Sequence, residues 1–303
     1  MQESLVQIER MAVSGPRLPK WARNPRRHFE ALHHLKTELR ALRLHTVCES
    51  ARCPNIHDCF HRGAATFMIL GNLCTRGCGF CAVPKGSPGK MEFSLDPGEP
   101  ANVARMAARM QLRYVVITSV NRDDLPDGGS VHFAATVREV RGALPEARVE
   151  VLTPDFCGDL AAVARVLDAG PHVFNHNMET VSRLYRRVRP QADYRQSLDV
   201  LRFARGHRPD VLTKSGVMAG LGEQPGEIDE LLRDLRGADV DVATIGQYLQ
   251  PTRRSLPVAE YVRPEQFDAW RDYGLSIGFR TVFSGPLVRS SYMAEMVSER
   301  AAC

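Results

Sequence analysis

From residue 65 onward, short apolar runs alternate with stretches whose apolar residues recur at helical spacing. The runs fall at 65–70 (ATFMIL), 114–119 (YVVITS), 149–152, 172–175, 212–218 and 242–246. Most are continuous rather than alternating, the pattern of strands buried on both faces. Between them lie helical patterns at 99–111, 131–143, 158–169, 179–187 with 194–205, and 226–237. Six β/α units in series predict an α/β fold, a partial (β/α)6 parallel barrel, with a full barrel or a doubly wound open sheet as the alternatives. No G-x-G-x-x-G follows the first strand, which weighs against a dinucleotide fold.

The ends of the chain depart from this rhythm. Residues 28–44 place Phe29, Leu32, Leu35, Leu39 and Leu42 on one helical face, ahead of a loop containing Pro54 and Asn55. After 250 come a proline-rich segment, one more helix near 264–273, a strand-like 278–285 and a tail. The expected division is an N-terminal extension with a cysteine loop (1–60), a barrel (61–285) and a C-terminal tail (286–303).

A chain of 303 residues with 44% apolar and 25% charged residues is globular in composition. No apolar run reaches the roughly 18 residues that span a bilayer. The N-terminus carries Glu3 and Glu9 and no apolar core, so neither a secretory signal nor a transit peptide is expected. Net charge is +5; of 40 basic residues 35 are Arg, spread along the chain apart from small clusters such as Arg26-Arg27, Arg186-Arg187-Arg189 and Arg253-Arg254. No aromatic-basic platform accompanies them, so nucleic-acid binding is not expected. Arg253-Arg254 suits either contact with an acidic partner or a solvated face.

Cysteine placement changes the picture most. Six of the eight cysteines lie within residues 48–81. Crowding of that kind points to metal or cluster ligation in a reducing compartment, hence the cytoplasm, rather than to disulfides. Cys74, Cys78 and Cys81 form a C-x3-C-x2-C triplet directly after the first strand, at the barrel end where active sites sit. Three thiolates leave a [4Fe–4S] cluster one ligand short, and an open metal position is what catalysis needs, by analogy with zinc. Gly77 and Gly79 let the backbone curl close. A zinc knuckle with a remote fourth ligand is the alternative. Cys48, Cys53 and Cys59 form a second, looser triplet, also one ligand short. Its candidates for a fourth ligand are His57, His61, Cys157, Cys303, Ser290 and Ser291, with Cys157 expected as a small buried residue.

These residues resemble the radical S-adenosylmethionine (SAM) superfamily, and within it the lipoyl synthase family. The resemblance runs over most of 45–292, through HTVCESARCPN, ATFMILGNLCTRGCGFCAV, SVNRDDLPDGGSVHF, VEVLTPDF, FNHNMETVSRLYRRVRP, TKSGVMAGLGE, ATIGQYLQPTRRSLPV and GPLVRSSY. Gln224 stands where the family usually has Thr, and Ser182 where Pro is common. The resemblance implies two [4Fe–4S] clusters and SAM. Cys74, Cys78 and Cys81 would hold the cluster that chelates SAM and cleaves it, after one-electron reduction, to a deoxyadenosyl radical. Cys48, Cys53 and Cys59 would hold an auxiliary cluster that donates sulfur. Its fourth ligand would be Ser291, with Ser290 the alternative; a serine alkoxide is a poorer iron ligand than a thiolate, which suits a cluster that must be taken apart.

The implied reaction inserts sulfur at C6 and C8 of an octanoyl-lysine on a carrier protein, making the chain a sulfurtransferase of lipoate biosynthesis. The implied partners are octanoylated lipoyl carrier domains (E2 subunits of 2-oxoacid dehydrogenases, the glycine cleavage H protein), an electron donor such as flavodoxin or ferredoxin, and an iron–sulfur carrier. Asn175, Asn177 and Glu179, after the fourth strand, would face the cluster and contact SAM, or else cap the next helix. Arg189 would pair the SAM carboxylate. Asp127-Gly128-Gly129 reads as a turn, and His132 and His176 as packed or capping residues. Competing readings are another radical sulfur-inserting or methylthiolating enzyme and a cluster or zinc module without turnover. The first triplet and RSSY argue against the former, and a barrel following the ligands argues against the latter.

Overall fold

The computed structural model describes residues 18–22, 36–50, 55–56, 59, 64–87 and 94–291. Residues 28–35 of the expected N-terminal helix, and Cys53, His57, His61, Tyr292 and Cys303, lie outside the described residues. Residues 36–41 are helical, with Leu39 buried in the core.

Eight strands form one sheet in strictly sequential order. The two-residue β1 (His45–Thr46) pairs antiparallel with β2 (Ala64–Ile69). From β2 onward every pairing is parallel: β3 (Tyr114–Ser119), β4 (Arg148–Leu152), β5 (Val173–Asn175), β6 (Leu212–Ala219), β7 (Val242–Gln247) and β8 (Thr281–Gly285). No pairing joins β8 back to β1 or β2 among the described residues, so the barrel is partial, as expected. The six expected strands fall within two residues of those observed, and the strand-like 278–285 supplies the seventh parallel strand.

The continuous apolar runs are accounted for by burial on both faces: every residue of β2 and of β7 is buried. Helices cover the outside. After a short α1 (Val47–Ser50) come α2 (Glu99–Arg109), α3 (Ser130–Ala143) and α4 (Leu160–Asp168). Next are α5 (Tyr185–Val188), α6 (Tyr194–His207), α7 (Glu227–Gly237) and α8 (Pro264–Ser276). In α2, Val103, Met106 and Ala107 are buried at helical spacing while the other side meets solvent. Asp193 caps α6 through the Gln196 amide, and Asp159 caps α4 through that of Ala161. No described helix is long and apolar enough to cross a membrane.

The helix expected from residue 179 starts later. Glu179 has a φ of 65° and is bonded like a strand residue, its amide to the Gly216 carbonyl and its carbonyl to the Met218 amide. Helical geometry begins only at Ser182. Edge pairing with β6 therefore overrides local helical preference at the turn that follows β5.

Candidate functional site

Parallel strands all end on one side, and their C-terminal ends surround a cavity of about 500 Å3. Ser119 closes β3, Leu152 closes β4 and Thr153 follows it, His176 and Asn177 follow β5, and Thr244, Gly246 and Gln247 come from β7; all line it. This is where ligands of parallel barrels bind.

The second cysteine triplet is folded into this opening by its own backbone. Cys74 forms an isolated parallel bridge with Lys85, which closes the loop on itself. Thr75 donates its amide to the Asn121 carbonyl, and the Asn121 amide reaches the Cys74 thiol at 3.4 Å. The Gly79 amide donates to the Val188 carbonyl, and its carbonyl accepts from the Leu256 amide. A Cβ at Gly79 would stand 2.8 Å from Leu256, so only glycine lets the chain pass there.

Arg76 anchors the loop from below. It is bidentate to both Asp123 and Asp155, at 2.6–3.0 Å, with its side chain 4% exposed. Burial alone would raise the Asp155 carboxyl, but the Arg76 hydrogen bonds and charge hold it down at about 2. All three thiols line the cavity. Burial pushes the Cys78 and Cys81 thiols up, Cys81 to about 11. Neighbouring thiols push both the same way, against Arg189 at Cys78. Buried thiols that resist ionisation alone and share one wall suit a cationic iron centre, which supplies the missing positive charge. No three His, Cys, Asp or Glu side chains among the described residues are grouped about a single ion's position.

The adjoining wall is built from 176–189. The Asn177 amide donates to Glu179 at 3.0 Å and to the Ser290 hydroxyl at 2.7 Å. One Arg189 nitrogen donates to the carbonyls of Asn177 and Met178 and to the Tyr185 hydroxyl, bracing the turn from behind. Burial raises the Glu179 carboxyl, and Arg189 and Asn177 oppose that rise. Asn177, Glu179 and Arg189 thus line the cavity as expected, and neither Asn177 nor Glu179 caps a helix. His176, read from sequence as a packing residue, lines it too. Its Nδ1 meets the Thr153 carbonyl at 2.9 Å, which makes Nδ1 the donor and leaves Nε2 a buried acceptor without a partner. Burial, aided by Arg189, lowers this imidazole to about 4, so it is neutral at physiological pH. The Oδ1 of Asn177, Thr153 Oγ1 and Ser119 Oγ are likewise unpartnered and buried. Unsatisfied polar atoms clustered on one cavity are the mark of a polar ligand's seat.

The two described cysteines of the first triplet reach the same cavity. Cys48 on α1 and Cys59 both line it, as do Ser290 and Ser291 of the tail. Thr46 accepts the Glu49 amide and so sets the turn carrying Cys48. Asn55, wholly buried, donates its side-chain amide to the Leu287 carbonyl at 2.7 Å, joining the cysteine loop to the tail across 232 positions. Its backbone carbonyl accepts the Cys59 amide. The sequence showed Asn55 only as a loop residue between Cys53 and Cys59; its burial and its bond to the tail are visible in the fold alone. Ser290 is engaged by Asn177, so of the two serines Ser291 is the one not held by that bond.

Two expectations are corrected. Asn175 does not line the cavity; it closes β5 one layer below, fully buried, donating to Glu150 at 2.9 Å. Its side chain points into the barrel interior with Glu150 and Lys214, a layer short of the strand ends that open onto the cavity. Cys157 is exposed rather than buried. Its amide bonds the Asp155 side chain at a φ of 54°, and this left-handed turn swings its thiol out to 3.4 Å from Arg76 and Asp123. Asp127 is the turn residue expected, accepting the amides of Gly129 and Val131 at the start of α3. His132 is the packing residue expected, bonded to Glu99 at 2.7 Å.

The tail lies on β7 because Gly246 leaves room. A Cβ there would overlap the Val288 carbonyl, while Gly246 pairs with Gly285 in the sheet. Gly246→Val is therefore expected to lift residues 287–291 from the cavity with the barrel intact. Limited proteolysis should show new cleavage in that segment at an unchanged far-UV spectrum; an uncut tail would contradict it.

Residues 68–235 match the family model of the Radical SAM superfamily, and residues 2–53 that of the N-terminal domain of lipoyl synthase of Radical_SAM family. The chain is 55% identical over 280 residues to a lipoyl synthase of Thermus thermophilus, covering 92% of this chain and 86% of that one. It is 57% identical over 267 residues to a lipoyl synthase of Rubrobacter xylanophilus, covering 88% and 82%. Among solved structures, methylornithine synthase superposes with a TM-score of 0.52 at 17% identity, over 78% of this chain and 64% of that one. HydG, a maturase of the [FeFe]-hydrogenase, superposes with 0.51 at 14%, over 89% and 74%. At such identities these two speak for the fold alone.

Proposed function

Since the chain belongs to the lipoyl synthase family of the radical SAM superfamily, we propose how its own residues divide that family's work. It is a radical SAM sulfurtransferase that uses SAM and two [4Fe–4S] clusters and acts on a lipoyl carrier protein. When bound, these groups supply the reductive cleavage of SAM that removes hydrogen from an unactivated methylene, and the sulfur that replaces it. In this reading Cys74, Cys78 and Cys81 hold the SAM-cleaving cluster and leave one iron open. Cys48, Cys53, Cys59 and Ser291 hold the sulfur-donating cluster.

The remaining walls bind and orient. Glu179 and the unpartnered Oδ1 of Asn177 accept hydrogen bonds from the amine and hydroxyls of SAM, while neutral His176 offers an acceptor. Arg189 holds this turn in place and supplies positive charge for a carboxylate. Asn175 positions the turn through β5 rather than touching ligand. The organisation we favour is an N-terminal extension (1–60) carrying the auxiliary loop, a barrel (61–285) and a tail (286–303) carrying the last ligand. The octanoyl-lysine substrate sits on E2 subunits or the H protein, flavodoxin or ferredoxin supplies electrons, an iron–sulfur carrier rebuilds the spent cluster, and the reaction runs in the cytoplasm, where free thiols survive.

The observation that carries this reading is the single cavity lined by described cysteines of both triplets and by both tail serines. Incubating the anaerobically reconstituted protein with SAM, dithionite and an octanoyl-lysyl carrier peptide should add the mass of two sulfur atoms to the peptide. A peptide that loses hydrogen but gains no sulfur would defeat the assignment of Cys48, Cys53, Cys59 and Ser291.

A further inference from the structure

The outer side of the Cys74–Cys81 loop is packed between two arginine-rich segments. Gly79 receives one through Val188, which directly follows Arg186 and Arg187, and holds the other through Leu256, two residues after Arg254. Gly77 bonds the Gln191 side chain at 2.9 Å on the same side. The three segments 75–81, 182–191 and 250–257 hold seven arginines and no Asp or Glu. Arg76 is neutralised by Asp123 and Asp155, Arg183 by Glu227 at 2.8 Å, and Arg189 is buried in the cavity wall. Arg186, Arg187, Arg253 and Arg254 are exposed and have no ion pair among the described residues. These four unpaired positive charges, on two segments that both bond Gly79, nearly equal the +5 net charge of the whole chain.

This face has a second property. Cys78 is flanked by Gly77 and Gly79, which are backed here by the Gln191 and Leu256 side chains and the Arg187 backbone, so the arginine-bearing segments lie directly against the backbone that carries its thiol. Electron-transfer rates fall steeply with distance, and the Arg187 carbonyl comes within 3.4 Å of the Cβ position of Gly79. A field of one sign there steers and orients a partner of the opposite sign.

We propose that Arg186, Arg187, Arg253 and Arg254 form the docking surface for an acidic one-electron carrier protein, a reduced flavin or iron–sulfur carrier, that delivers its electron through the Gly77–Gly79 backbone; this rests on the radical SAM reading of the Cys74–Cys78–Cys81 centre. The carrier is oxidised by one electron per event, and that electron is consumed in breaking one carbon–sulfur bond of SAM.

The test uses the reconstituted holoenzyme and an acidic flavodoxin kept reduced by its NADPH-dependent reductase, with dithionite as the small reductant that needs no docking. In R186E/R187E/R253E/R254E, flavodoxin binding by calorimetry should weaken at least tenfold and lose most of its salt dependence. Flavodoxin-driven deoxyadenosine formation should fall at least tenfold, while the dithionite-driven rate and the KM for octanoylated carrier stay within twofold of wild type. The pairs R186Q/R187Q and R253Q/R254Q should each show part of the binding loss. Unchanged flavodoxin binding overturns the proposal. So does a raised KM for octanoylated carrier under dithionite, which would assign the surface to the substrate domain, and so does equal loss with both reductants in the quadruple variant and both pairs. If wild type cleaves no SAM with dithionite, the radical SAM reading fails, whatever the binding data show.

Discussion

Replacing Cys74, Cys78 and Cys81 together by Ala is expected to abolish deoxyadenosine formation and to leave only the iron of the other cluster. Replacing Cys48, Cys53 and Cys59 is expected to do the reverse: deoxyadenosine formation persists and sulfur insertion stops. The asymmetry follows from the site. Cys74, Cys78 and Cys81 sit on a loop pinned by Gly79 to α5 and the 250s segment and by Arg76 to two aspartates. None of these supports comes from the first triplet. Cys48 and Cys59 are instead held by β1, α1 and the Asn55–Leu287 bond. Iron analysis and Mössbauer spectra, read beside product formation, separate the two losses. If deoxyadenosine survives loss of Cys74, Cys78 and Cys81, or if either triple variant loses all its iron, the division of labour is wrong. Residual activity at the level of the uncatalysed reaction is the expectation, because no side chain in the cavity can form a carbon radical unaided.

How much of this was legible beforehand depends on the range over which each feature is encoded. The strands were visible because a parallel sheet buries both faces, and runs such as YVVITS and ATFMIL have no other economical use. The second triplet was visible because its ligands are contiguous and directly follow a strand. The role of Ser290 and Ser291 was not visible in residue pattern: a polar tail looks the same in or out of a site, and only the resemblance singled it out. What brings it in is tertiary, namely the absence of a side chain at Gly246 and the Asn55–Leu287 bond. Asn175 was placed wrongly for a related reason. Distance along the chain from a strand end does not say which layer of the barrel a side chain reaches, and the positive φ at Glu179 resets the direction of the turn after it. His176 carried no sequence signal at all; only its unpartnered Nε2 marks it.

Lys214→Met is expected to be the most destabilising single substitution away from the cavity, at about 3–5 kcal/mol. Lys214 is fully buried on β6 and bonds both carboxylate oxygens of Glu150 on β4, each at 3.0 Å. Tyr114 on β3 donates to the same carboxylate at 2.8 Å, and Asn175 on β5 at 2.9 Å. Four adjacent strands therefore meet on one carboxylate directly below the turn bearing His176, Asn177 and Glu179. Removing the ammonium leaves a buried negative charge with two neutral donors. Removing both charges costs far less, because neither partner must then be desolvated alone, so K214M/E150M should recover most of the loss. Urea unfolding of K214M, E150M and K214M/E150M beside wild type checks this as a double-mutant cycle, and a double variant as destabilised as K214M would show that packing volume rather than charge is at stake. The functional consequence is separable. At urea concentrations far below either transition, the double variant should still bind SAM more weakly than wild type. The bond that fixes Asn175 is gone in it, and with it the height at which β5 delivers the cavity wall. Unchanged SAM affinity in a stable double variant would mean that Arg189 and the Glu179–Gly216 pairing hold the wall by themselves.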